Sequence, residues 1–423
     1  MRNPIMTRPG GIRTTVSGLI LANIFFAVGI PYAIRAALLD VPADIRMLTI
    51  TALGTISAIC VAIWVVRSMI TYPGAELGSY TIPAFALSFG ALLFFFILTR
   101  LEYSRFLIII SFVISFVWTH FSLVRAQEKR KLSIGVLPFG NAKDVLSLEN
   151  VNWFVIENTS DPVLNCDLVV TDLRVNLTDE WDRQVSDYAL SGVRVLHYKH
   201  LLESLTGQVQ LEHLYENSAG SLSPQPVYMK IKHFFDWIAA AAAAIILLPL
   251  MLVVAIVVAV DSRGPVLFRQ ERMGYRGETF RVFKFRTMRH GSNLSDARNS
   301  AMTQSDDARI TRVGRFLRTS RIDELPQIIN ILRGEMSWIG PRPEAVALSQ
   351  WYEQDIAFYR YRHIVRPGIS GWAQVNQGHV TNVEDVRNKL NYDFYYIKNY
   401  SPWIDMLIVF KTLVTMATGY GAK

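Results

Sequence analysis

The chain has 423 residues, 51% of them hydrophobic and only 18% charged, a balance that excludes an ordinary soluble domain and puts a membrane protein first. A formal net charge of +8 suits anionic lipid headgroups and phosphorylated substrates. Two cysteines without metal-ligand spacing, Cys60 and Cys166, give neither a disulfide framework nor a zinc site and fit a reducing cytoplasm.

Arg2, Arg8 and Arg13 precede an apolar run, as in a signal peptide. Three more apolar runs follow and no small-residue cleavage site stands out, so the first run reads as a membrane span. The four runs lie near 15–36, 46–66, 81–99 and 104–124, each about the length a helix needs to cross the hydrocarbon core. Arg125, Lys129, Arg130 and Lys131 close the block. Basic flanks on both sides place both ends in the cytoplasm, and residues 1–131 are expected to form a four-helix transmembrane domain.

Residues 132–216 read as a small α/β domain. Strand-like segments at Leu132 to Leu137, Trp153 to Ile156, Leu168 to Thr171 and Val193 to Leu196 alternate with helix-compatible pieces. The turn after the first strand, Pro138-Phe139-Gly140, lacks the glycine spacing that lets a backbone approach a pyrophosphate. This predicts a degenerate Rossmann-like, nucleotide-binding-like domain serving as a spacer or in self-association, the second of which would make the protein a homodimer. A linker at 217–227, rich in Ser, Gly and Pro, ends it.

The last part, 228–423, opens with a membrane helix at 234–260. Trp237 to Val260 carry no charge, and Pro249 lies near the middle. Lys230 and Lys232 precede the run, and Arg263, Arg269, Arg272, Arg276, Arg281, Lys284, Arg286 and Arg289 follow it. A re-entrant helix bent at Pro249 keeps both basic ends on the cytoplasmic face, whereas a Pro-kinked transmembrane helix carries the second group across. Further on, residues 287–308 read as a mobile loop. Trp403 to Met416 read as an amphipathic helix at the lipid interface, after an aromatic segment, Tyr392 to Tyr400, expected to dock there too.

Asp323-Glu324-Leu325-Pro326-Gln327 opens a helix with Leu325, Ile328, Ile329 and Leu332 at helical spacing. On this pattern alone Asp323 is an N-cap and Glu324 complements the helix dipole. The surroundings offer a second reading. Arg309, Arg312, Arg315 and Arg318 come before and Gly340-Pro341-Arg342-Pro343 after, and guanidinium groups grip phosphate. Beside them an aspartate can attack phosphorus, and a glutamate suits Mg2+ held partly by substrate phosphate.

Residues 228–420 resemble the bacterial sugar transferases, the polyprenyl-phosphate phosphoglycosyl transferases. The resemblance is carried by Gly264-Pro265-Val266-Leu267-Phe268-Arg269-Gln270, Phe283-Lys284-Phe285-Arg286-Thr287-Met288, the Asp323 and Gly340 motifs, and Arg366-Pro367-Gly368-Ile369-Ser370-Gly371-Trp372-Ala373-Gln374-Val375-Asn376. The whole architecture is similar to the family's long form. Three positions depart from the usual pattern: His233 follows Lys232 where arginine is usual, Leu248 replaces serine before the central proline, and Ala308 replaces proline.

The resemblance implies a mainly helical monotopic catalytic domain with a re-entrant helix and interfacial amphipathic helices, on the cytoplasmic face of a bacterial inner membrane. It implies transfer of a sugar-1-phosphate from a nucleotide-sugar, with UDP-glucose or UDP-galactose expected and a UDP-N-acetylamino sugar as alternative, to undecaprenyl phosphate. UMP leaves, and the step opens exopolysaccharide, capsule or O-antigen synthesis. By resemblance Asp323 is the nucleophile, forming a covalent phospho-sugar intermediate in a ping-pong mechanism, and Glu324 helps hold Mg2+. Lys284, Arg286, Arg318, Arg342 and Arg366 are the candidates for gripping substrate phosphate, and membrane lipid, not nucleic acid, is the expected surface partner. Two rivals are weaker. A membrane-anchored nucleotide-sugar dehydratase needs a Gly-rich turn and a Tyr and Lys four apart, absent after residue 261. A transporter needs ionisable residues along its spans.

Overall fold

The computed structural model describes residues 13–37, 42–69, 77–128, 133–148, 151–158, 166–210, 223–289, 309–377 and 383–418. The chain divides into two compact units, Met1–Gly207 and Gln208–Lys423. The irregular tracts expected at 287–308 and 217–227 fall for the most part outside the described residues.

In the first unit the four apolar runs are helical over Arg13–Ala37 (α1, Arg13–Asn23; a π-helical turn, Ile24–Gly29; α2, Ile30–Ala37), Pro42–Met69 (α3), Leu77–Thr99 (α4) and Arg105–Glu128 (α5). Each of the four is long and apolar enough to cross a membrane. They pack through Val28, Leu48, Ile59, Phe85, Phe96 and Leu107, while Phe25, Phe94, Leu98 and Phe121 face outward. Helices apolar on all sides need a solvent other than water. Polar side chains inside the block join helices: Asn23 Nδ2 donates to Thr119 Oγ1 at 3.2 Å, and Thr81 Oγ1 lies 2.9 Å from His120 Nδ1. Among the described residues no charged side chain is buried there.

All four expected strands form, as β1 (Ser133–Val136), β2 (Asn152–Val155), β3 (Leu168–Thr171) and β4 (Arg194–His197). They make one parallel sheet in the order β2-β1-β3-β4. The chain leaves β1 for one edge and returns beside it as β3, so the crevice at their carboxyl ends is where such sheets bind ligands. Here it holds a carboxylate. Asp172 Oδ2 accepts the Asn141 amide at 3.3 Å, and its Oδ1 takes the Arg174 amide at 3.1 Å and lies 3.3 Å from His197 Nε2. The Asn141 and Arg174 amides and the Arg174 and His197 side chains, the groups a phosphate would use, are thus already engaged by this carboxylate.

Two helices, α6 (Asp179–Leu190) and α7 (Tyr198–Thr206), complete the parallel-sheet domain, and α8 (Pro226–Asp261) opens the second unit. The helix α8 runs unbroken through Pro249. Before that proline, Ala240, Ala243 and Leu247 pack with Phe280, Val282, Ile328 and Met336. After it, Met251, Val254 and Val258 pack with Phe285, Leu317 and Leu325. The opposite side exposes Ile245, Ile246, Ile256 and Val260. An antiparallel hairpin, β5 (Leu267–Met273) with β6 (Thr279–Phe285), lies alongside.

Some of the basic residues counted toward membrane topology have internal work, Lys232 among them. Lys232 is buried with Nζ 3.2 Å from both Asp236 Oδ2 and Asp405 Oδ2. Asp405 also accepts from Tyr228 at 2.6 Å and Tyr396 at 2.8 Å, and Asp236 from Ser337 Oγ at 2.5 Å. This knot ties the start of α8 to the rest of the unit. Lys232→Met leaves two carboxylates buried without their cation, and removal of one partner from such a cluster costs about 3–5 kcal/mol. A lower thermal midpoint of the purified protein is the expected result, and an unchanged midpoint would show that the knot holds nothing.

The segment 392–400 is corrected by the structure. Phe394, Tyr395 and Tyr396 are buried in the domain, because α-helix Val383–Lys398 turns this face inward. The last helix, Pro402–Thr418, is likewise half enclosed: Ile404, Leu407, Ile408 and Phe410 are buried, and Val409, Leu413 and Met416 are exposed.

Candidate active site

The helix α9 (Arg312–Thr319) leads into the acidic pair. Gly314 permits the approach, since a Cβ there would lie 2.1 Å from the Thr287 carbonyl oxygen. Arg321 then takes a left-handed backbone (φ 58°, ψ 13°) and opens a 3-10 turn, Ile322–Gln327, that continues into α10 (Ile328–Leu332). Ile322 and Leu325 seat the turn on the second half of α8. Asp323 therefore stands inside the turn and caps neither helical segment, against the expectation of an N-cap.

The two acids face different surroundings. Glu324, 6% exposed, accepts on Oε1 from Lys284 Nζ at 2.8 Å and Arg342 Nη2 at 2.7 Å, with Arg321 Nη1 at 3.9 Å. Burial alone would raise its pKa, but Arg342 and Lys284 outweigh that and hold it well below the usual carboxylate range. Asp323, 8% exposed, accepts no hydrogen bond among the described residues. Burial raises its pKa, aided by the neighbouring Glu324 charge and opposed by Lys284, Arg318 and Arg321. Burial and the Arg342 charge also pull Lys284 down to about 8, though Glu324 supports its charge. Arg342 is held above its ordinary value, first by Glu324.

The five basic candidates divide. Lys284 and Arg342 meet on Glu324. Arg318 stands near enough to act on Asp323 electrostatically and is held by Thr287, whose Oγ1 accepts from Nε at 2.9 Å. Arg286 is directed elsewhere: Nη2 donates to the carbonyls of Val258 at 3.1 Å and Ser262 at 2.5 Å, and Nη1 to that of Pro265. It caps the end of α8, where unpaired carbonyls favour a cation. Arg366 donates to the Gly334 carbonyl at 2.9 Å and lies over the Tyr275 ring, and among the described residues it bonds to neither acid.

Sequence reasoning missed Arg321, which is exposed and looked like any surface residue, and Asn330. Fully buried, Asn330 accepts the Phe283 amide at 3.1 Å and donates to the Arg281 carbonyl at 2.7 Å, so it fixes the position of β6, and thus Lys284, against the helix that follows the acids. An asparagine among Ile328, Ile329, Ile331 and Leu332 was the available signal.

Among the described residues no group of three or more His, Cys, Asp or Glu side chains could hold a metal ion. The acidic pair fits only a hard cation that completes its shell with substrate phosphate and water, as Mg2+ does. Surplus positive charge around one unengaged carboxylate is an arrangement for phosphate chemistry.

The sequence profile described as bacterial sugar transferase matches residues 227–419. The UDP-N-acetylgalactosamine-undecaprenyl-phosphate N-acetylgalactosaminephosphotransferase of Aeromonas hydrophila is 41% identical over 362 residues, 85% of this chain and 84% of that protein. The UDP-glucose:undecaprenyl-phosphate glucose-1-phosphate transferase of Escherichia coli K12 is 45% identical over 163 residues, 38% of this chain and 34% of that enzyme. The protein of the same description from Caulobacter vibrioides is 42% identical over 189 residues, 44% of this chain and 70% of its own length.

Proposed function

The chain belongs to the bacterial sugar transferase family, and from that premise we propose that it moves a sugar-1-phosphate from a UDP-sugar to undecaprenyl phosphate by way of a covalent intermediate on Asp323. It is an enzyme of the undecaprenyl-phosphate sugar phosphotransferase class. The carrying observation is the contrast within the acidic pair: Glu324 is bound by Lys284 and Arg342, while Asp323 beside it is free of hydrogen bonds among the described residues.

In the first half-reaction an Asp323 carboxylate oxygen bonds to the sugar-bearing phosphorus as the bond to the nucleoside phosphate breaks, and UMP leaves. A phosphate oxygen of undecaprenyl phosphate then attacks the same phosphorus and frees Asp323. Burial makes the Asp323 carboxylate more basic than usual, which favours nucleophilic attack once phosphate charge is offset. Lys284, Arg318, Arg321 and Arg342 supply that offset. Glu324 would hold Mg2+ together with donor phosphate oxygens, and that ion supplies further charge neutralisation. The acceptor has a lipid tail, and α8, with its exposed apolar side chains, supports a site at the membrane surface. We place that surface on the cytoplasmic side of the inner membrane, with four spans in the first unit and α8, helical throughout, bent at Pro249 so that both its ends lie on that side.

The Aeromonas relative matches along most of both chains, whereas the E. coli glucose enzyme matches over about a third of its own length. That favours UDP-N-acetylgalactosamine as donor, ahead of the UDP-glucose or UDP-galactose expected from the sequence. The purified full chain, given Mg2+, undecaprenyl phosphate and each UDP-sugar in turn, is expected to release UMP fastest with the N-acetylated donor. Faster release with UDP-glucose would reverse the sugar assignment, and none with any donor would overturn the proposed reaction.

A further inference from the structure

The segment that carries Arg342, from Gly340 to Glu344, forms neither helix nor strand, so nothing in its own backbone pattern aims the Arg342 side chain. Three consecutive residues of it are instead gripped from outside. The Arg342 carbonyl accepts from Arg362 Nη2 at 3.0 Å. The Pro343 carbonyl accepts from Arg272 Nη1. The Glu344 carbonyl accepts the Met273 amide at 2.9 Å, and its carboxylate pairs with Lys389.

Arg362 is the most enclosed of these groups, at 3% exposure. Its Nε and Nη2 lie 3.1 and 2.8 Å from Asp393 Oδ2, and its Nη1 donates to the Tyr359 hydroxyl at 2.7 Å. A planar guanidinium with donors in fixed directions can serve a carboxylate, a phenol and a carbonyl at once, which an ammonium on a flexible stem cannot. The Asp393 carboxylate balances its charge, so what it delivers to the segment is position more than field. Among the described residues no hydrogen bond or ion pair joins Arg362 to either acid of the site.

Resting on the reading of Arg342 as part of the active site, we propose that Arg362 is a positioning residue: held by Asp393 and Tyr359, it fixes the Arg342 backbone and so aims the Arg342 guanidinium at Glu324. The rival role is a structural ion pair that merely joins the turn Tyr359–Ile364 to the helix Val383–Lys398.

A double-mutant cycle separates the two roles. UMP release is measured with the full purified chain, Mg2+, undecaprenyl phosphate and the best UDP-sugar, for Arg362→Lys, Arg342→Ala and the double variant, alongside each thermal midpoint. Arg362→Lys is expected to lower kcat/KM by about 10- to 100-fold, as misplacement of a site group by roughly an ångström does, and to change it less than twofold when Arg342 is already Ala. Tyr359→Phe, which removes one of the groups holding Arg362 and keeps its ring, is expected to repeat the pattern more weakly; it carries the cycle if the lysine variant does not fold. Equal fold-losses in both backgrounds, or full activity of the positioning variants, would overturn the inference while leaving Arg342 in the site. Full activity of Arg342→Ala would instead remove Arg342 from the site, and this inference with it.

Discussion

Asp323→Asn is expected to eliminate UMP release, with a loss of at least about 10³-fold, the scale seen when a covalent nucleophile is removed. The amide is nearly isosteric, and Asp323 makes no hydrogen bond among the described residues whose loss would unfold the turn. Stability is therefore expected to hold or to rise slightly, since a buried carboxylate that gains no hydrogen bond is exchanged for a neutral group. The chemical signature is sharper than the rate. Wild-type protein given donor alone is expected to gain the mass of one sugar phosphate and release one equivalent of UMP, and the asparagine variant to do neither. Normal turnover by the variant would return Asp323 to a structural part.

Glu324→Gln should separate from that result in kind. The acid anchors two cations on one oxygen, Lys284 at 2.8 Å and Arg342 at 2.7 Å, with side chains 18% and 25% exposed. Removing its charge leaves both in a poorly solvated place, a disruption of about 3 kcal/mol for a buried pair, less here because water reaches them. The expected outcome is a lowered thermal midpoint together with a loss of about 10²-fold or more in kcat/KM, and a higher Mg2+ requirement. Unlike the asparagine variant, the glutamine variant should still trap some sugar phosphate on Asp323 over long incubation. An unchanged midpoint with full activity would mean that Lys284 and Arg342 do not depend on Glu324.

Much of the fold could be read from residue order. Four apolar runs of spanning length became four helices, and four β-branched segments became one parallel sheet, because both signals are local and a helix or strand needs only its own side chains to announce it. The site was legible in part. The Asp-Glu pair and the Gly-Pro-Arg-Pro segment stood out by type, but a basic residue cannot show its partner from a distance. Lys284 and Arg342 lie 40 and 18 positions from Glu324 and meet through the fold. Arg286, two residues from Lys284, looked equivalent. The strand stops at Phe285, the alternation that sorts side chains ends with it, and Arg286 turns to the end of α8. Lys232 misled in the same way, since a lysine beside an apolar helix resembles an interfacial charge until two aspartates are found around it.

The helix α8 has a practical implication. It lends side chains to the core beneath the hairpin and to the core beneath the acidic turn, and Arg286 closes its far end. It is thus as much floor as tether. Trimming it to obtain a water-soluble catalytic fragment would expose Phe280, Val282 and Leu317 together and leave the acidic turn without a seat. Crystallisation or inhibitor screening should therefore keep Pro226–Asp261 and supply amphiphile; shortening the chain from the other end, ahead of residue 208, leaves both cores untouched.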